Sequence, residues 1–142
     1  MPLVFDAEGN ASVVLVSQYR PPYEESVIEI PAGMRDIDGE DTAEVARREL
    51  IEEAGFDAGV VELLGEIYPS PGMTDSVTSI YLATHCTPVE TDRQGPEEDF
   101  METMHIPLVD ALEMIDRGEI RDAKTVSGLL MTDRRLRRAD GD

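Results

Sequence analysis

The chain has 142 residues, with 31 Asp and Glu against 12 Lys and Arg, for a formal charge of -19. That excess repels nucleic-acid backbones and anionic membranes, yet metal ions and a few arginines can still hold a small anionic substrate. A single cysteine, Cys86, excludes an internal disulfide and fits a reducing cytoplasm.

The length fits one domain, residues 1–142, with a sizeable core. No apolar run reaches the roughly 18 residues of a membrane span, and no basic-then-apolar leader opens the chain. Lys124 is the one lysine beside eleven arginines. A salt-rich cytoplasm and a GC-rich genome would each favour that balance.

Leu3-Val4-Phe5 reads as a short strand, followed by a turn at Asp6 to Asn10 in which Gly9-Asn10 supply positive φ. Val13 to Tyr19 is rich in β-branched residues and predicts a second strand, broken by Pro21-Pro22. Ser26 to Ile30 predicts a third, ending at Pro31.

A Gly-rich loop, 31–40, then feeds a helix predicted over 41–54. Asp41 is its N-cap, with Glu44 placed to close a capping box. Gly55 is its terminator, able to take positive φ. At 100° per residue, Glu49, Glu52 and Glu53 share a sector of roughly 100° on one face. Ala43, Ala46, Leu50 and Ala54 form an adjoining stripe that can bury. In so acidic a chain any one glutamate is by default solvated. Three carboxylates crowded on one face repel each other, and a divalent cation with a preference for oxygen ligands turns that liability into a site.

Val60 to Tyr68 predicts a strand, Pro69 to Gly72 a turn, and Ser76 to His85 another strand. Residues 87–99 read as an acidic loop, Phe100 to Ile106 as a strand, and Leu108 to Arg117 as a helix stopped by Gly118. Asp122 caps a last helix, 123–138, whose arginines 134, 135, 137 and 138 suit a helix C-terminus. Strands, a helix, strands and two helices in this order argue an α+β fold, an α/β/α sandwich. His85 and His105 stand too far apart to suggest a local metal pair, and each reads as structural. Cys86 reads as packed, and Tyr19, Tyr68 and Tyr81 as core or pocket wall.

The segment Gly33 to Phe56 resembles the Nudix box, G-x5-E-x7-R-E-U-x-E-E-x-G-U, with U a bulky apolar residue. From Glu40 onward the match is complete: Glu40, Arg48, Glu49, Leu50, Glu52, Glu53, Gly55 and Phe56. Upstream, six residues rather than five separate Gly33 from Glu40. An extra loop residue is cheap. Gln18-Tyr19-Arg20, Glu29 to Gly33, Ser70-Pro71-Gly72, Glu97-Glu98-Asp99 and Gly118 to Thr125 are similar to the nucleoside-diphosphate-sugar branch, which holds ADP-ribose pyrophosphatases and GDP-mannose hydrolases.

The resemblance implies a Nudix fold, a mixed central sheet flanked by helices. Members of the branch usually carry several tens more residues before the equivalent of Leu3, so the extra N-terminal sheet is expected to be missing here. It implies Mg²⁺, or Mn²⁺, held by the Ala32 carbonyl, Glu49 and Glu53 and reached by Asp99, with Glu52 in support and Arg48 orienting the box carboxylates. Arg20 would contact the diphosphate, and Ser70, Pro71, Gly72 and Met73 would line the sugar pocket. The base would come from the loop 95–99, where Glu97 and Asp99 align with the branch's acidic pair, Asp99 one methylene short of the usual Glu.

The implied reaction is Mg²⁺-dependent hydrolysis of a nucleotide-sugar diphosphate, ADP-ribose to AMP and ribose 5-phosphate first. GDP-mannose or another sugar nucleotide comes second. Oxidised nucleoside triphosphates and a non-catalytic sensing module follow. The implied partner is the small-molecule substrate, the implied location cytoplasmic, and a homodimer is compatible with the resemblance.

Overall fold

The computed structural model describes residues 1–35, 37–91 and 101–141. In chain order its strands are β1 (Leu3–Phe5), β2 (Ala11–Arg20), β3 (Glu25–Glu29), β4 (Phe56–Ile67), β5 (Thr78–Pro88) and β6 (Glu102–Pro107). The helices are α1 (Thr42–Glu49), extended by a π-helical turn Leu50–Ala54, then α2 (Leu108–Asp116) and α3 (Ala123–Asp140).

β2 is the hub. One of its edges carries β1 beside residues 11–13 and β3 beside residues 16–20, and the other carries β6 along residues 12–17, all antiparallel. β4 and β5 form a long antiparallel pair. A parallel bridge, Pro2 to Ala83, links the two sheets, with Ala83 N–H donating to the Met1 carbonyl and Val14 N–H to that of Pro2. The mixed sheet expected from the resemblance is therefore antiparallel within each described strand pair, and parallel at this bridge.

Side chains on a strand alternate between its two faces. Val13 and Leu15 enter one core with Leu108, Ala111 and Met114 of α2 and Leu129 of α3. Val14 and Val16 enter another with Leu50 and Ala54 of the π turn and Phe56 and Ala58 of β4. A strand buried on both faces reads as a continuous apolar run, and residues 13–16 are at most 2% exposed. That is the α/β/α sandwich of an α+β fold.

Local departures have local reasons. β4 starts at Phe56, four residues before the predicted Val60, because it pairs with β5 as far as Pro88. That pairing turns residues 87–88 from predicted loop into strand. Gly9 takes positive φ but Asn10 does not. Tyr19 and Tyr68 are exposed, 57% and 71%, and Tyr81 alone of the three expected wall residues lines a cavity. No described helix is long and apolar enough to cross a membrane.

Candidate active site

The Asp41 side chain accepts from Ala43 N–H at 2.8 Å, so the predicted N-cap is present, although Glu44 makes no return bond to close the box. The helix runs regularly to Glu49 and then widens into the π turn before Gly55 ends it at φ 70°. Such turns often mark functional sites. This one keeps Leu50 and Ala54 in the core beneath while Glu49 and Glu53 are both buried, 7% and 8% exposed.

Both carboxylates face the loop that precedes the helix. Glu53 Oε2 accepts from Ala32 N–H at 2.9 Å. The Glu49 carboxyl lies against Gly33 so tightly that a Cβ there would clash with the carboxyl carbon and both oxygens. Gly33, whose φ is ordinary, lets the carboxyl approach this closely, and a side chain there would push the flexible end of Glu49 aside. Arg48 donates to Glu49 Oε1 at 2.8 Å, to Glu52 Oε2 at 3.3 Å and to the Met34 carbonyl at 3.4 Å, and its Nε stands 3.7 Å from Glu40 Oε1. The other Glu40 oxygen, Oε2, is buried with no hydrogen-bond partner among the described residues.

Among the described residues, four carboxylates and one guanidinium therefore crowd one end of α1. A buried carboxylate oxygen without a partner is costly unless something binds it. The donor set is all oxygen, which suits a hard divalent cation. No three described His, Cys, Asp or Glu side chains are grouped so as to hold a metal ion together. That also fits, since Mg²⁺ is commonly held by one or two carboxylates and completes its shell with waters and substrate phosphates.

A second charged cluster lies beside the first. Arg20 grips Glu29 with two bonds, Nε to Oε1 at 2.6 Å and Nη2 to Oε2 at 2.9 Å. Lys124 Nζ donates to the same Glu29 Oε2 and, at 3.1 Å, to Asp122 Oδ2. Asp122 caps α3, accepting from Thr125 N–H and Oγ1, and Thr125 Oγ1 accepts from Ile30 N–H. Burial pushes the Glu29 carboxyl up, but the hydrogen bonds and charges of Arg20 and Lys124 outweigh it and hold the group below the ordinary range. The hydrogen bond to Glu29 raises Arg20 in turn, and Glu53 is near enough to add to that shift.

A cavity of about 650 Å³ opens beside both clusters. Its wall includes Ala32, Gly33 and Met34 of the loop, Lys124 of α3, and Thr42 and Tyr81, whose hydroxyls share a 2.5 Å hydrogen bond. Ser76 to Ser79 also line it. Ser70 to Met73 form a turn closed by Met73 N–H to the Ser70 carbonyl at 2.9 Å, and they are not part of that wall. Met73 is 91% exposed.

The structure thus gathers Ala32, Arg48, Glu49, Glu52 and Glu53, with Arg20 nearby. Glu97, Glu98 and Asp99 lie outside the described residues. His85 and His105 are both exposed, His105 against the ring of Phe56 with centroids 5.4 Å apart. Cys86 is half-buried, and burial pushes its thiol up. Glu29 and Lys124 received no individual role from sequence reasoning. The signal was a carboxylate in an apolar strand, Val27-Ile28-Glu29-Ile30, and the lone lysine.

A NUDIX domain family model matches residues 1–129. The chain belongs to that family. It is 37% identical over 122 residues to the ADP-ribose pyrophosphatase of Bacillus subtilis (strain 168), covering 86% of this chain and 65% of that protein. It is also 37% identical over 131 residues to a GDP-mannose pyrophosphatase of Shigella flexneri, covering 87% of this chain and 67% of the relative. The Nudix chain thus spans about two thirds of the length of these relatives. A solved structure titled as an ADP compounds hydrolase superposes with a TM-score of 0.82 at 26% identity, covering 99% of this chain and 71% of that one. Nudix hydrolases generally need a divalent metal, which the all-oxygen donor set accommodates.

Proposed function

We propose that this Nudix chain hydrolyses the diphosphate bond of a nucleoside-diphosphate sugar, ADP-ribose to AMP and ribose 5-phosphate. The observation that carries the reading is the pair of buried carboxylates, Glu49 and Glu53, held against Ala32 and Gly33 with Arg48 bridging Glu49 to Glu52 and Glu40. GDP-mannose is the second substrate, favoured by the equal identity to the Shigella relative.

A divalent cation, Mg²⁺ first, would neutralise diphosphate charge and acidify a bound water. Glu49 and Glu53 would hold it, with Ala32 beside them. Arg48 bridges the Glu49 and Glu52 carboxylates through one nitrogen, offsets their mutual repulsion and fixes their orientation, work that commonly costs 10- to 100-fold in activity when lost. Arg20 offers a planar guanidinium to the diphosphate oxygens. Proton removal from the attacking water falls to a carboxylate of the loop 95–99, Glu97 or Asp99, as the family resemblance implies. Most of the rate comes from positioning and charge stabilisation.

The test incubates the protein with Mg²⁺ or Mn²⁺ and, separately, ADP-ribose, GDP-mannose and 8-oxo-dGTP, with products identified by mass. AMP with ribose 5-phosphate is the expected result. Release of GMP and mannose 1-phosphate alone would move the specificity to the second reading. Binding of one compound without turnover of any would make the chain a sensing module.

A further inference from the structure

Three elements meet at Glu29. The residue is 4% exposed, and its carboxylate takes both bonds from Arg20 on β2 and one from Lys124 at the start of α3. Two cations that close repel each other unless a carboxylate sits between them. Both keep a wet side, the side chains being 41% and 20% exposed, and Lys124 lines the cavity with Ala32 and Gly33. Two residues past Glu29 the chain reaches Pro31, and the next residue, Ala32, donates to Glu53. The carboxylate that gathers the cations is therefore built into the strand that delivers the loop to the acidic edge.

We propose that Glu29 is a positioning residue for the diphosphate: its buried carboxylate holds Arg20 and Lys124 side by side, so that the two cations meet the substrate's phosphate oxygens as a pre-set pair. The substrate class rests on the function proposed above. Glu29 itself stays behind the cations and touches no substrate atom. A neutral amide at this position can accept one hydrogen bond through its oxygen but cannot balance two positive charges. The bland alternative is a buried ion pair that only stabilises the fold, which would move a melting temperature and leave affinity alone.

The experiment is calorimetric titration of methylenediphosphonate, a diphosphate that is not hydrolysed, in the presence of Mg²⁺, with steady-state kinetics on ADP-ribose alongside. E29Q is expected to weaken diphosphonate binding about fivefold to tenfold and to raise KM similarly, with kcat within about threefold of wild type. R20A and K124M are each expected to weaken binding, and in the R20A/K124M double background the further change E29Q should no longer alter Kd. Unchanged or tighter binding by E29Q overturns the proposal, tighter binding meaning that Glu29 competes with the substrate for the cations. Should E29Q fail to fold, R20A and K124M decide, and unchanged Kd in either overturns it. A wild type that turns over ADP-ribose while E29Q leaves Kd unmoved sinks the positioning role and spares the proposed activity. Diphosphonate binding that depends on Glu29, without turnover of any sugar nucleotide, does the reverse. No binding by the wild type overturns the positioning role as well.

Discussion

Two charged clusters lie side by side in this protein and are built on opposite plans. At the end of α1, Glu40, Glu49 and Glu52 surround a single guanidinium with the buried Glu53 alongside, and among the described residues one buried oxygen of Glu40 is left without a partner. At the foot of α3, two cations face two carboxylates, and Glu29 and Asp122 accept every bond that Arg20 and Lys124 are seen to donate there. The first arrangement stores repulsion and has unused acceptor capacity, so it is suited to recruit a cation. The second is close to neutral and well bonded, so it is suited to hold geometry. On the proposed function, charge imbalance marks where a cation would bind, and charge balance marks the scaffold that would aim the substrate at it.

Replacing Glu53 by Gln tests the unbalanced side and should have the largest effect. Losing a ligand for the cation removes several kcal/mol of charge stabilisation, so kcat/KM for ADP-ribose should fall by at least about 10²-fold. The amide can still accept from Ala32 N–H, so circular dichroism should show an intact cooperative melt. Normal turnover by E53Q would remove Glu53 from the metal site.

Gly33→Ala probes the same edge through shape. The added methyl must displace the Glu49 carboxyl, the far end of a flexible side chain, so the cost in stability is small. Activity should fall by more than stability, because the displaced group is one that would carry the metal. A variant with wild-type rate and melting temperature would mean that loop 31–35 yields freely.

The balanced side should respond most weakly, and to acid. The Glu29 carboxyl titrates below its ordinary value in the folded protein. Its contribution to stability is therefore complete above the unfolded-state value, about 4.3, and is lost as pH falls through the folded one. The difference in denaturation midpoint between wild type and E29Q should be steady from pH 7 to 5 and close on further acidification. A gap undiminished between pH 5 and pH 3 would show that packing, not charge, sets the difference.

How much of this was readable beforehand differs between the clusters for a physical reason. The acidic edge is carried by one helix, where spacing in sequence is spacing on a face. Glu49, Glu52, Glu53, Arg48, the Asp41 cap and the Gly55 stop could all be placed from residue order. The balanced cluster joins residues 9 and 95 positions apart, and no periodicity encodes such a meeting. The cavity wall shows the same limit. Ser76 to Ser79 reach it and Ser70 to Met73 do not, because the register of β4 on β5 decides where that connection returns.

Local rules, then, determined the α+β composition, the helix with its N-cap and stop, the β-branched strand over residues 13–19 and the identity of the carboxylates. Alternation and helical period act over a few residues and survive in the sequence. Tertiary structure alone decided that β2 takes β6 on one edge and shares the other between β1 and β3, that the box helix widens into a π turn, and that Glu29 meets Lys124. Those outcomes depend on filling two cores at once and on pairing buried charge, and such energies are defined only when distant segments pack together.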